Sequence, residues 1–585
     1  MNRRQLLGRS AAALVTALGL PLLKQPGARA GGVANRLEKA GRALRQQLGE
    51  RLITPQLPWA NLRPDQPVAA RLKNPWYLVS QPGGTQSTGM AGAWSAQASG
   101  LAVRAASAND VAAAVNVARE QRLRLVVRGA GGDYFGRSSG QADSLLIWTH
   151  DLNQIRVQRA FRPEGAPADL PAVTALEVSA GNTWLQAYQA ATAAKLYVQG
   201  GGCTTVGACG GFTQGGGFGN FSKRFGSGAG NVLQLELITA DGQLRTVNAY
   251  RHPDLYWALK GGGGGTFGVV VRQTLLAHPM PRLDGWLSGS IEAADDALFE
   301  EVLQRYLELV RDALVNPSWG EGVVIEPGQR RLQLGTAFLD LDAEAAEAIW
   351  QPLLEPLRRR PNDFRVTARF RTQPFERKWQ PSGESVFWDQ RPDAPAGQFW
   401  WKGNQNEVGA FWGGYQGRGI PLDALEAGRV AELARAFAAA SRQSFLLFQT
   451  NKGLAGMDPS GLERERATAM NPAVLNNAGF VTLARWVQYR YPGIPGHEPD
   501  AAEGAQQRHA VEASMAPIRA ATPGAGSYVN EGDFFEPNWR EEFWGPHYPR
   551  LLAIKRRVDP TNLFRVHHGV GSENSGSDQA GGSTS

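Results

Sequence analysis

Cysteine is nearly missing. The 585-residue chain has two, Cys203 and Cys209, which excludes a framework of several disulfides; if the two pair with each other, they close a small ring that joins nothing distant and adds little stability. No CxxC or HxxxH spacing supplies further ligands near them, so no metal centre is expected. Long hydrophobic runs are also scarce. The apolar run AAALVTALGLPLL at 11–23 is shorter than the about 20 residues that span a bilayer, and no later segment reaches that length, so no stable membrane span is expected. Net charge is small once it is located. Arg3, Arg4, Arg9, Lys24 and Arg29 carry five of the formal +8 in a leader without acids, and the rest gives no reason to expect a nucleic-acid partner.

That leader has the layout of an export signal: a basic start, the apolar run, and Ala28-Arg29-Ala30 as a small-x-small cleavage site. Arg3-Arg4 followed by Leu6-Leu7 resembles the twin-arginine type, whose machinery carries folded proteins. Residues 1–30 are therefore expected to be removed and the mature protein to be periplasmic or secreted. A chain of this length exceeds the roughly 250–300 residues at which single cores stop growing, so two or more units are expected. Residues 31–52 have helical spacing with polar faces and suggest a surface helix. From 102 to 127, a strand, a helix capped by Ser107-x-x-Asp110 and a second strand make a βαβ unit. Later, 231–248 shows a hairpin turning at Asp241-Gly242, and DLYWAL precedes a glycine run and the strand VVVRQTL. From 281 onward, long amphipathic stretches alternate with strand-like runs such as EGVVIEP and RLQLGTAFLDL, as in a second domain of sheet plus helices. The last residues, 571–585, have the composition of a disordered tail.

What the chain has in abundance is glycine, 70 residues, concentrated in three places. Segment 199–219 alone, QGGGCTTVGACGGFTQGGGFG, holds ten glycines and both cysteines; 128–136 and 261–268 are the other two. Two familiar patterns in these segments fail on context. Gly263-x-Gly265-x-x-Gly268 follows a helix and precedes a strand, the reverse of a dinucleotide fingerprint. Gly136-x-Ser138-x-Gly140 does not lie between a strand and a helix, as a serine-hydrolase elbow must. Three glycine segments at strand edges in one region instead suit a long phosphorylated ligand that backbone N–H groups approach closely.

These residues carry a resemblance. Val127-Arg128 through Ser138-Ser139, Gly202-Cys203-Thr204-Thr205-Val206-Gly207 with Gly215 to Gly219, and Asp254-Leu255-Tyr256-Trp257-Ala258 into Gly268 resemble the FAD-binding domain of the vanillyl-alcohol oxidase superfamily. Tyr528-Val529-Asn530, WGPHYPRL and Val558-Asp559-Pro560-x-Asn562-Leu563-Phe564 are similar to the C-terminal element of berberine bridge enzyme-like oxidases. The resemblance implies an α+β fold: a PCMH-type two-subdomain FAD-binding domain over 95–280, preceded by an N-terminal segment at 31–94. A substrate domain of antiparallel sheet covered by helices is inserted at 281–520, and the element at 521–570 completes the FAD domain. It places FAD against Arg128, Gly129, Ala130, Gly131, Gly132 and Asp133 in the first loop. In the second it uses Thr205, Val206, Gly207, Gly211, Gly215, Gly216, Gly217 and Gly219, and beyond them Gly268, Val269, Val270 and Asn530. In the family a cysteine matching Cys203 bonds the flavin as a 6-S-cysteinyl link, while Cys209 stands where glycine is usual and reads as a small filler. A second tether, the histidine of RxGGHDYxG, is replaced here by Gly132, so attachment through Cys203 alone is expected.

Val206 matches a position where small β-branched residues accompany oxygen reactivity, which implies an oxidase that passes electrons to molecular oxygen. The C-terminal motif of many relatives continues YxNYRD with the second tyrosine as base. Here Glu531 takes that place and is a base candidate if a dry pocket raises its pKa, or else an acceptor that orients a neighbour. Tyr528, Tyr134 and Tyr415 are the further catalytic candidates, with Tyr528 and Asn530 suited to hold flavin or substrate. An aromatic cluster at 399–415, interleaved with Lys402, Gln405 and Glu407, suits sugar faces or aromatic groups. The expected reaction is two-electron oxidation of a small-molecule alcohol or carbohydrate. The alternatives are a flavin dehydrogenase with another acceptor, a serine hydrolase using Ser138, and a flavin-binding protein without catalysis.

Overall fold

The computed structural model describes residues 27–573 apart from 66, 382 and 384. Residues 1–26 of the leader expected at 1–30 and residues 574–585 of the tail expected at 571–585 lie outside the described residues, while 27–30 open the helix Gly27–Leu48.

The βαβ unit forms as its sequence suggests. Ser107 caps the helix Ala108–Gln121 and Asp110 returns the bond to the Ser107 backbone. The strands on either side of that helix, Leu101–Arg104 and Arg124–Arg128, do not pair with each other. Both lie parallel to Ser144–Trp148, which sits between them, and Leu52–Ile53 adds an antiparallel edge. The helix Gly27–Leu48 is not simply a surface helix: Ala40 and Leu44 are fully buried and the helix packs on Ala108–Gln121. A second subdomain is an antiparallel five-stranded sheet in the order 244–248, 232–238, 269–276, 173–179, 155–161. The hairpin turn at Gly242 has φ +78°, which glycine accepts without strain. The strand Ile155–Phe161 is not among the runs read from the sequence, and its burial alternates only over its first three residues.

The inserted region builds a nine-stranded sheet whose seven main strands, 364–374, 283–293, 331–339, 319–325, 445–449, 477–488 and 410–421, are antiparallel. Four helices, Asp296–Leu309, Ala343–Arg358, Val430–Ser441 and Ala501–Ala521, cover one face and enclose a core of Leu, Val, Phe and Trp. The opposite face looks toward the glycine loops. Two short strands from far upstream, Gly89–Met90 and Trp94–Ser95, finish this sheet, the first parallel to 410–421.

Candidate active site

The first glycine loop leaves the strand Arg124–Arg128. The Arg128 guanidinium is buried and bonds the carbonyls of Gly84 and Gln81, the latter at 2.6 Å; removal from water pulls its pKa down to about 9. Arg128 thus shapes the loop by pinning segment 81–86 against it. Gln86 N–H donates to the Gly131 carbonyl at 3.0 Å. Gly131 has φ +79°, and a Cβ there would lie 2.8 Å from the Gly84 carbonyl oxygen, so glycine is required. Asp133 is occupied by Arg137 at 2.5 Å, and Arg137 reaches on to the Val529 carbonyl at 3.2 Å, which ties the loop to the C-terminal element. Among the described residues, the N–H groups of Ala130, Gly131 and Gly132 donate to no protein acceptor.

The second loop carries Cys203, half-buried, and Cys209, buried; both are free thiols. Cys209 Sγ contacts the Val178 carbonyl at 3.0 Å inside the core, as a filler would. A short hairpin, Val386–Trp388 with Phe399–Trp401, clamps the loop on either side of Cys203: Thr204 Oγ1 donates to the Phe399 carbonyl at 2.7 Å and Trp401 Nε1 to the Gly202 carbonyl at 3.1 Å. Thr205 is buried, and Gly207 forms an isolated bridge with Thr183. Val206 faces the first loop, its Cγ2 lying 3.9 Å from where a Gly132 Cβ would be. A Cβ on Gly219 would stand 1.8 Å from the Gly200 carbonyl oxygen.

The third loop and the C-terminal element close on the second. Gly261 and Gly263 N–H groups donate to the Gln214 carbonyl at 3.0 and 2.9 Å, and a Gly264 Cβ would meet Gly211 Cα at 2.6 Å. Asn530 Nδ2 donates to the Gly211 carbonyl and to the Tyr528 hydroxyl at 2.9 and 2.8 Å, while that hydroxyl accepts from Gly217 N–H at 3.1 Å. Gly215 leaves room for Asn530 and Gly216 turns at φ +128°. Gly268 lies against the Ile238 carbonyl, and Val269 and Val270 are buried strand residues in the five-stranded sheet. Their side chains serve packing.

Above the cysteine loop, the open face of the nine-stranded sheet and the first loop bring together Tyr134, Tyr415, Glu407, Glu531, Lys452, Glu321 and Gln86. Tyr134 and Tyr415 stack with ring centroids 4.5 Å apart, and Trp412 meets Tyr134 edge-on at 5.5 Å. Burial raises both phenols well above the ordinary tyrosine range. The Tyr134 hydroxyl faces both the Glu407 carboxylate and the Tyr415 side chain. Glu531, expected as a candidate base, is ion-paired with Lys452, so its carboxylate is already committed. Glu407 has no such counter-ion: Gln86 Nε2 donates to its Oε2 at 2.8 Å. Burial, reinforced by the charge of Glu531, pushes its pKa up to about 7. Glu321 stands in mid-strand with φ +58° and accepts from Gln449 Nε2 at 2.7 Å. Burial raises its pKa as well. Burial also holds the Cys203 thiol up, with Glu407, Glu321 and Glu531 adding to that against Lys452.

Of the polar residues among the aromatics, only Glu407 turns inward. Lys402 lies over the exposed Phe387 ring at 5.4 Å, and Gln405 bonds Trp400 Nε1 at 2.8 Å. Sequence reasoning missed Gln86, Glu321 and Lys452, which lie on segments without a motif. Among the described residues no group of three or more His, Cys, Asp or Glu could hold a metal, and no helix is long and apolar enough to cross a membrane. The donor set fits FAD: unengaged loop N–H groups suit a diphosphate, and at Gly210 and Gly211 a Cβ would meet nothing within 4 Å.

Comparison with known proteins agrees with this geometry. An FAD binding domain family matches residues 79–248, and a berberine and berberine like family matches 527–571. The FAD-linked oxidoreductase ZEB1 of Gibberella zeae is 31% identical over 481 residues, covering 81% of this chain and 76% of the relative. The FAD-linked oxidoreductase easE of Arthroderma benhamiae is 32% identical over 475 residues, covering 80% and 88%. The crystal structure of the VAO-type flavoprotein MtVAO615 from Myceliophthora thermophila C1 superposes with a TM-score of 0.75 at 24% identity, covering 92% of this chain and 95% of that one, and so shares the fold.

Proposed function

Since the chain belongs to the berberine bridge enzyme-like, VAO-type FAD-linked oxidoreductases, we propose that this FAD-dependent oxidoreductase is an exported oxidase acting on a hydroxyl-bearing carbon of a small molecule, an alcohol or a sugar. FAD, when bound, supplies a two-electron acceptor that oxygen can reoxidise to give hydrogen peroxide. The chain's own part is to hold that group, exclude water and accept the substrate's hydroxyl proton. The observation that carries the reading is the convergence of Cys203, Val206 and Gly132 on one side of a space whose other side holds stacked phenols and half-buried carboxylates. Cys203 is the single covalent tether, because Gly132 offers no side chain. Val206 beside Gly132 keeps a small wall there and favours oxygen as the acceptor.

An oxygen electrode with peroxide detection, run on a panel of primary alcohols and reducing sugars, tests the reaction. Oxygen uptake with peroxide is expected, and turnover only with an artificial acceptor would make the protein a dehydrogenase. Acid precipitation tests the tether: a yellow pellet is expected from the wild type and a yellow supernatant from Cys203→Ala. Flavin in the supernatant of the wild type would remove the covalent bond from the reading. The leader supports export; replacing Arg3-Arg4 by Lys-Lys is expected to keep the precursor in the cytoplasm, and unchanged export would point to another route.

A further inference from the structure

The space that Gly132 leaves open in the first loop is lined by Gln86. The Gln86 side-chain oxygen lies 3.7 Å from where a Gly132 Cβ would be, and its Nε2 donates to Glu407 Oε2 at 2.8 Å. The backbone of Gln86 is fixed at both ends: its N–H donates to the Gly131 carbonyl at 3.0 Å, and its carbonyl accepts from Gly409 N–H at 2.8 Å. One residue therefore sets the distance between the first glycine loop and the turn that carries Glu407. Tyr134 is equally fixed. Its ring stacks on Tyr415, Trp412 meets its edge, and Trp94 Nε1 holds its carbonyl at 2.9 Å.

On the reading of the protein as an alcohol-oxidising flavoenzyme, we propose that Tyr134, Glu407 and Gln86 form a proton relay, with Tyr134 taking the substrate's hydroxyl proton, Glu407 receiving the proton of Tyr134, and Gln86 positioning Glu407. The balance is complete. The substrate O–H bond breaks and its proton joins Tyr134 Oη as the former Tyr134 proton joins a Glu407 oxygen; the carbon gives up a hydride, two electrons with one proton, to FAD, and a C=O bond forms. Tyr134 ends as it began and Glu407 ends neutral, to release its proton to solvent later.

The neighbouring groups are each less suited to this end of the relay. Glu531 is held by Lys452, Glu321 is not among the groups that face Tyr134, and Cys203 and Tyr415 remain protonated because burial raises both. Glu407 receives only a neutral amide donor and the Tyr134 hydroxyl, and it faces the Glu531–Lys452 pair, Tyr415 and Cys203. A carboxyl that titrates at about 7 in this setting is poised to accept a proton at working pH.

Two readouts on the flavin-loaded protein test the relay. The first needs no substrate: an infrared titration should show a carboxylic C=O band that disappears as pH rises through about 7. Glu407→Gln should abolish the band, and Gln86→Leu, which removes a donor to the carboxylate, should move its midpoint to higher pH. The second is anaerobic flavin bleaching by the alcohol and sugar panel as a function of pH. Glu407→Gln is expected to slow bleaching by about 100-fold or more and to remove the acid limb of the profile. Tyr134→Phe should slow it comparably while keeping the infrared band, and Glu531→Gln should keep the acid limb. A panel that bleaches the flavin in Glu407→Gln at the wild-type rate overturns the relay and leaves the oxidation reading intact. A panel that fails to bleach even the wild type overturns the oxidation reading, and the relay with it. A wild-type protein without the titrating band overturns the assignment of Glu407 whatever the rates.

Discussion

Two adjacent glycines in the first loop answer to different constraints. Gly131 sits at φ +79° with a Cβ position 2.8 Å from a backbone oxygen, so any side chain there meets both strain and a collision. Gly132 is exposed to the cleft, and its Cβ would meet only ordinary contacts at 3.7 and 3.9 Å. Gly131→Ala is therefore expected to cost about 1–3 kcal/mol, and Gly132→Ala to stay within about 0.5 kcal/mol of wild type; thermal melts of the two variants read the contrast directly. Glu407 gives a second residue-scale outcome. Its pKa is raised in the folded state to about 7, so folding binds its proton more tightly than the unfolded chain does. The folded state consequently loses stability as pH rises from the usual carboxylate value through about 7. Glu407→Gln, which keeps the neutral form, should melt above wild type at pH 8 and level with it near pH 4. The gain is at most about 3 kcal/mol, reduced by the residual exposure of the side chain.

At the scale of elements, the C-terminal element is docked by Asn530, whose amide reaches the Gly211 carbonyl and the Tyr528 hydroxyl. Gly215 permits this: a Cβ there would lie 2.4 Å from Asn530 Oδ1, and its φ of −90° carries no strain of its own. Gly215→Ala should thus act through the docking alone, costing about 1–3 kcal/mol and loosening flavin retention. Limited proteolysis near 521–530 should then be faster than in wild type, and unchanged protection would remove Asn530 from its docking role. Elements with local signals were legible beforehand: the capped helix after Ser107, the Asp241-Gly242 hairpin and the three glycine loops each depend on nearby residues. What could not be read depends on contacts between distant segments. Gln86 meets Glu407 across 321 positions, and Gly89–Met90 joins a sheet whose main strands begin near 283. Glu321 adopts a left-handed backbone inside a strand although it is itself neither glycine nor asparagine. Glu531 was legible as a carboxylate at a motif position, but its pairing with Lys452 was not, because nothing near 452 resembles a motif.

At the scale of the whole molecule, the chain crosses repeatedly between its layers. It begins in the first subdomain with Leu52–Ile53, lends Gly89–Met90 and Trp94–Ser95 to the nine-stranded sheet, and returns at Leu101–Arg104. It leaves again at 283, and after Ala501–Ala521 comes back to place Tyr528, Trp544 and Leu551 in the same buried cluster as Val103 and Leu176. That cluster also takes in Trp379, Phe399, Met470 and Phe480 from the inserted region. A core to which both regions contribute cannot lose one of them without exposing apolar surface of the other, at about 25 cal/mol per Å². The loaded protein should accordingly unfold in one calorimetric transition although its length would permit two. A chain ended after residue 520 lacks Tyr528, Asn530, Trp544 and the Lys555 bond to the Thr266 carbonyl at 2.7 Å. It should fail to retain FAD and should bind a hydrophobic dye. Two separate transitions in the full protein, or a truncated chain that still holds flavin, would show instead that the substrate-side sheet and the glycine-loop region are stable apart.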